Sequence, residues 1–236
     1  MMNMNPHADG RAPRRTRLSA AERRETILRA AAEAFAQAGY RAAKVSDVAA
    51  RVGVTEPVIF QNFGSKAALF AAVLERAVAE IRASLDDLAA GFGSASALLA
   101  HVLSGLAHGR PGQATADPDA GHAGAVYGVL FADATALTTD PELAEPARRA
   151  YRAIAAHLAD LIEHAQADGD VHPGTDPQAA AWLLLSVLSA RRLRAAVMPA
   201  DLEPAVTALA QQALTPLAPG AHGPGQAAAR RGGKPG

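Results

Sequence analysis

The chain contains no cysteine. That excludes a disulfide framework, a thiolate nucleophile and any sulfur-ligated metal, and it suits a reducing compartment, so the expected location is the cytoplasm. Long hydrophobic runs are missing as well. The longest apolar stretch, Ala179–Val187, falls far short of the ~20 residues that span a bilayer and leads directly into Arg191, Arg192 and Arg194. The N-terminus is polar and Arg-rich, without the apolar centre of a secretory signal. Aromatic residues make up only 4% of the chain, and few of them lie after residue 75. This scarcity argues against a cage for a flat cation and for an aliphatic or mixed pocket. No alternating strand pattern, Gly-x-Ser-x-Gly elbow, phosphate loop, or kinase or protease signature occurs. Gly91-Phe-Gly93-Ser-Ala-Ser96 matches part of a dinucleotide fingerprint, but no strand precedes it and the third glycine is missing. His101 and His108, and His157 and His164, could share helix faces. They lack the four-residue spacing of a helical zinc pair and a carboxylate to complete a set. We therefore expect no catalytic residues, no metal and no cofactor.

What is present is half apolar, in 236 residues. That suffices for a small domain plus a larger one and for a sizeable core. The net charge is zero, but its distribution is uneven. Met1–Phe70 hold eleven Lys/Arg against six Asp/Glu, a net of +5, and the remainder holds twelve against seventeen, a net of −5. A basic first third points to a polyanionic partner, with chance clustering as the plain alternative. Residues 1–18, with Pro6, Gly10, Pro13, Arg11, Arg14, Arg15 and Arg17, suggest a flexible basic arm. Such an arm either grips a polyanion or is solvated and silent. Residues 218–236 are rich in Gly, Pro and Ala and suggest a disordered tail.

Between these ends the pattern is helical nearly everywhere. Ser19-Ala-Ala-Glu22 is a capping box that opens a helix with Ile27, Ala31, Phe35 and Ala38 on one face, stopped by Gly39. Short helices are expected at 45–52 and 56–62. A long one should run from the cap Ser65 to about Ala89. Further helices are expected near 95–108, 122–138, 141–168, 176–196 and 201–215, with a loop over 112–121. Asp140-Pro141, Asp176-Pro177 and Asp201 mark the last three starts.

Residues 45–63 carry the chemistry. Val45, Val48, Ala49 and Val52 give a first helix its apolar face, and Ala49 is small where a second helix must cross. Gly53 supplies a tight turn, Val54 buries itself in it, Thr55 caps the second helix, and Ile59 and Phe63 return to the core. This is helix-turn-helix spacing. Glu56, Pro57, Val58, Phe60, Gln61 and Asn62 then face outward, where a recognition helix meets base edges. Gln61 and Asn62 have amides suited to adenine, and Pro57 or Val58 could touch a thymine methyl. Glu56 either accepts from a cytosine amine or simply stabilises its helix N-terminus.

Arg24-Glu-Thr-Ile-Leu-Arg-Ala-Ala through Phe35, Gly39-Tyr40, Asp47-Val-Ala-Ala-Arg-Val-Gly-Val-Thr and Phe60-Gln-Asn-Phe-Gly-Ser-Lys66-Ala-Ala-Leu69 together resemble the DNA-binding domain of TetR-family regulators, over about residues 22–70. The resemblance implies an all-α chain, with a three-helix helix-turn-helix domain at 19–70. A long helix would join it to a helical-bundle domain for ligand binding and dimerisation at 71–217. It also implies a homodimeric, sequence-specific DNA-binding transcriptional regulator, a repressor released from a near-palindromic operator by a small molecule. In the family, Thr55 and Lys66 fall where the DNA backbone is contacted. Phe60 stands where a tyrosine is usual, so the ring contact remains but a hydroxyl is lost. Ala43 and Lys44 stand where two hydroxyl residues are common, and Lys44 could replace one of them with a charge.

Beyond residue 70 the signals are weaker. The helices near 142–167 and 176–196 carry Ala- and Leu-rich faces that serve either a dimer interface or burial within one chain. Phe92, His101, Tyr127, Phe131 and Trp182 are candidates to line an effector pocket, with an ordinary core as the alternative. Two readings compete with the regulator: a helical scaffold that no longer meets DNA, and a helical enzyme without a visible nucleophile–base set.

Overall fold

The computed structural model describes residues 19–92, 94, 97, 98, 101 and 118–214. The arm expected at 1–18, the tail at 218–236, most of the 95–108 helix and the first part of the 112–121 loop lie outside the described residues. Among the described residues the fold is α-helical throughout. Its helices are α1 (Ala20–Ala42), α2 (Val45–Val52), α3 (Glu56–Phe63), α4 (Lys66–Gly91), α5 (Pro118–Ala136), α6 (Ala144–Ala167), α7 (Pro177–Ser189), α8 (Arg191–Val197) and α9 (Glu203–Leu214), with a 3-10 turn at Ala200–Leu202. No single helix among them is long and apolar enough to cross a membrane.

The cap signals act as their chemistry requires. The Ser19 hydroxyl accepts from the Glu22 N–H at 3.1 Å while the Glu22 carboxylate accepts from the Ser19 N–H at 2.8 Å. Those bonds from Ser19 hold the Glu22 carboxyl below its ordinary pKa. Ser65 and Asp176 cap α4 and α7 by accepting from Ala68 and Ala179 N–H, and Pro177 sits in the first turn, where its missing N–H costs nothing.

Four boundaries differ from expectation. Helix α1 does not stop at Gly39 but kinks there, at φ +75 and ψ 160, and continues to Ala42. The Tyr40 N–H just beyond the kink donates to the Asp133 carboxylate of α5, so it needs no carbonyl from its own helix. Helix α5 begins at Pro118, inside the expected loop. Asp140 does not cap α6: its carboxylate accepts from the Glu142 N–H at 3.0 Å, which folds residues 140–143 into a turn before the helix. The helix expected over 176–196 breaks at Ala190 into α7 and α8. There Arg194 donates to the Val187 carbonyl at 2.7 Å and forks onto Glu203 at the start of α9, so the chain turns to close an ion pair.

A single apolar core runs from Ile27 to Ala210. Phe35 and Phe70 meet edge to face at 5.1 Å, with Tyr40 packed 5.0 Å from Phe70. Both phenylalanines are fully buried, and truncating either to alanine should cost about 3–5 kcal/mol. Helix α1 packs along α4 and α5, and α4 in turn along α6, which pairs with α7. The helix-turn-helix is thereby seated on the bundle through side chains. Arg76 of α4 donates to Glu25 of α1 at 2.6 Å and to the Tyr127 hydroxyl of α5 at 3.4 Å.

Candidate nucleic-acid interface and interior cavities

Helix α2 buries Val45, Val48 and Ala49, leaving Val52 half-buried. Gly53 then adopts φ +69 and ψ 33, the left-handed conformation that the turn requires. Val54 is partly buried against the core, and α3 buries Ile59 and Phe63. Ala43 is buried.

The outward face of α3 is narrower than the spacing alone suggests. Glu56, Pro57, Phe60 and Gln61 are exposed, and Phe60 is 40% accessible, high for an aromatic ring. Val58 and Asn62 are half-buried, because their flank of the helix turns toward its neighbours. The Asn62 amide nitrogen donates to the Val58 carbonyl at 2.6 Å, a bond within its own helix that uses one of its two N–H donors. Thr55 precedes α3 as expected, but its hydroxyl makes no capping bond. Pro57 has no N–H to offer, and the Val58 N–H is taken by the Thr55 carbonyl at 3.0 Å. The Thr55 hydroxyl is exposed and not used by the helix.

Lys44 opens α2 as an exposed cation without a capping bond. Lys66 opens α4 half-buried: its ammonium donates to the Arg41 carbonyl at 3.2 Å and lies 4.8 Å from the centre of the Tyr40 ring. Burial lowers its pKa below the lysine value, and a nearby phosphate would favour the charged form. An ammonium has three donors, and the Arg41 contact uses one.

Arg24 carries no signal in the helix-turn-helix spacing, yet it holds the end of α3. Its guanidinium donates to the Asn62 carbonyl at 3.0 Å and stacks 4.3 Å over the Phe63 ring. A cation at a helix C-terminus opposes the dipole there. Arg51 similarly ties α2 to α1 through Glu33 and Gln37.

This geometry agrees with comparisons to known proteins. Residues 27–73 match the family model described as bacterial regulatory proteins, tetR family. Residues 27–73 are therefore a TetR-type DNA-binding domain. A curated relative, the HTH-type transcriptional activator FasR of Mycolicibacterium smegmatis, is 48% identical over 65 residues. That match spans 28% of this chain and only 30% of FasR. A TetR-family transcriptional regulator from a Rhodococcus species superposes with a TM-score of 0.68 at 25% identity, covering 83% of this chain and all of the other. Escherichia coli NemR in its reduced form has the same fold, with a TM-score of 0.66 at 18% identity over 82% of this chain and 98% of its own.

Within the helical bundle the five candidate pocket aromatics separate. Phe92 lines a cavity of about 210 Å³ between α4, α6 and α7, walled mainly by Leu85, Leu98, Leu158, Ile162, Leu184 and Leu188. His101 stacks on Phe92 at 4.9 Å but does not line that cavity. Tyr127 and Phe131 are buried in the core: Tyr127 meets Arg76, and Phe131 packs edge to face on Tyr151 at 5.3 Å. Trp182 is 45% accessible and borders a separate, open hollow of about 420 Å³ with Tyr151, Arg148 and Arg152. Nearby, the buried His157 of α6 has its Nε2 3.0 Å from the Asp86 carboxylate of α4, a contact out of line for a hydrogen bond. Among the described residues no group of three or more His, Asp or Glu side chains is arranged to hold a metal ion.

Proposed function

We propose that this TetR-family chain is a cytoplasmic, homodimeric transcriptional repressor that binds a near-palindromic operator and is released by a small molecule. The observation that carries the reading is the recognition helix. The Gly53 turn buries Ile59 and Phe63 and leaves Glu56, Pro57, Phe60, Gln61 and the Thr55 hydroxyl outward at the helix start. A side chain with Gln61's amide reads adenine, while Thr55, Lys44 and Lys66 suit phosphates. The exposed Phe60 ring suits a sugar or base face. Helix α7 exposes Trp182 and Leu183 side by side. Its pairing with α6 supports a dimer through these helices, which would set two recognition helices about 34–36 Å apart in successive major grooves.

Release follows from α4. Lys66 stands at one end, and Leu85, roughly 28 Å further along at the helical rise, lines the cavity. A ligand that wedges α4 from α6 and α7 favours a DNA-incompetent arrangement in proportion to its differential affinity for the two states.

The test is selection of bound sequences from random duplex DNA, then fluorescence anisotropy at ~0.15 M salt. A near-palindrome bound at ~10 nM or tighter is expected. Weak, sequence-blind binding would refute the reading. That FasR is a transcriptional activator favours a second reading, activation from the same operator. A reporter with the operator upstream of the promoter, instead of overlapping it, separates the two.

A further inference from the structure

The cavity between α4, α6 and α7 has an apolar interior and a polar rim, and the rim has a definite hydrogen-bonding sense. His164 and Asp168 border it where α6 ends. The His164 Nδ1 lies 2.6 Å from the Asp160 carbonyl oxygen. A carbonyl only accepts, so Nδ1 carries a proton, and in the neutral tautomer Nε2 is an acceptor. The Asp168 carboxylate also only accepts. Both sit at the C-terminus of a 24-residue helix, whose last carbonyls add negative potential. Ser94, also on the rim, accepts from the Ala97 N–H and keeps one proton to donate, so it does not reverse the balance. An apolar cavity of ~150 Å³ takes the six carbons of benzene, so about 210 Å³ takes roughly eight.

We propose that this cavity binds a medium-length aliphatic amine. The alkyl chain lies among Leu85, Leu158, Ile162 and Leu184, and the ammonium donates to Asp168 and to His164 Nε2. A neutral alcohol satisfies one rim acceptor without the charge, and a carboxylate meets a like charge. The selectivity order is therefore amine, alcohol, carboxylate. The inference rests on the ligand-release reading only for its consequence at DNA; binding itself does not depend on it.

Isothermal titration of the full-length protein with octylamine hydrochloride, octan-1-ol and sodium octanoate tests it. Octylammonium should bind at least about tenfold tighter than octanoate, and the gap should narrow as salt is added, because Asp168 is solvent-exposed. Asp168→Asn should remove most of that preference. Ile162→Phe, which fills the chamber, should weaken all three. Octanoate binding as tightly as octylammonium, or no binding of any of the three, would overturn the proposal. The same titrations on protein bound to its selected operator separate the two claims. Amine binding without DNA release supports the cavity assignment and refutes the release reading. DNA binding with no amine binding refutes the cavity assignment alone.

Discussion

Replacing Gly39 by alanine isolates the strain held where α1 meets the bundle. Gly39 has φ +75 and ψ 160, a region that is essentially glycine-only. A Cβ built there would meet only the Asp133 carboxylate oxygens, at 3.8 and 3.9 Å, which is ordinary contact. Side-chain overlap therefore contributes nothing, and the whole cost is backbone strain of about 1–3 kcal/mol. With a urea slope of ~2 kcal/mol/M, the unfolding midpoint should fall by roughly 0.5–1.5 M with the slope unchanged. Gly53 supplies the control. Its φ of +69 and ψ of 33 are left-handed helical, and a Cβ there would have no atom within 4 Å. Alanine there should cost about 1–2 kcal/mol, and asparagine, which visits this conformation, should recover part of it. At Gly39 asparagine should recover nothing. The kink is held by the bond from the Tyr40 N–H to Asp133, so an Asp133→Ala cycle reports on it. If Gly39→Ala is neutral and abolishes the effect of Asp133→Ala, α1 has straightened, and the reasoning that the kink is enforced by α5 is wrong.

Three further outcomes follow from the same geometry. Lys66→Ala should weaken binding to all DNA sequences and flatten the salt dependence by about one unit for each phosphate left without its lysine, two for the proposed dimer; an unchanged slope refutes the phosphate role. Gln61→Ala should relax preference at one base position at a cost of ~1–3 kcal/mol, and equal losses on operator and random DNA would refute base reading. Burial raises the pKa of Tyr151 above 10.0. The unfolded chain therefore loses this proton first, and stability should fall from about pH 10 upward through the raised value. Tyr151→Phe should remove that part of the alkaline loss. It should also destabilise the neutral protein by roughly 0.5–1.5 kcal/mol, through loss of the 2.7 Å bond to the Phe131 carbonyl. Equal alkaline slopes in urea melts of the two proteins would refute the assignment.

The helix-turn-helix is legible because it is a local code. Apolar spacing, a turn glycine and flanking caps all lie within residues 45–63, and each acts through neighbours a few residues away. The same holds for Ser19-Glu22, Ser65 and Asp176, whose capping bonds span three residues. Where local spacing misleads, a competing partner takes the group. Spacing makes Thr55 the cap of α3, but Pro57 removes one N–H and the Thr55 carbonyl takes the next. Spacing turns Asn62 outward, and in the fold it is half-buried with one amide N–H on the Val58 carbonyl. Asp140 stands where a helix should start and instead closes a turn.

By itself, then, the sequence determined the all-helical class, the recognition helix and the positions of most caps, since these depend on periodicity and on bonds between near neighbours. The tertiary structure alone decided what depends on distant residues meeting. Asp133 reaches Tyr40 across 93 positions and turns a helix stop into a kink. Arg24 reaches Asn62 across 38 and anchors the recognition helix. The cavity draws its walls from α4, α6 and α7, and no window of sequence contains all three. Of the aromatics after residue 75, packing sent Phe92 to the cavity, Tyr127 and Phe131 to the core and Trp182 to the surface, because burial is a property of the assembled helices and not of the residue type.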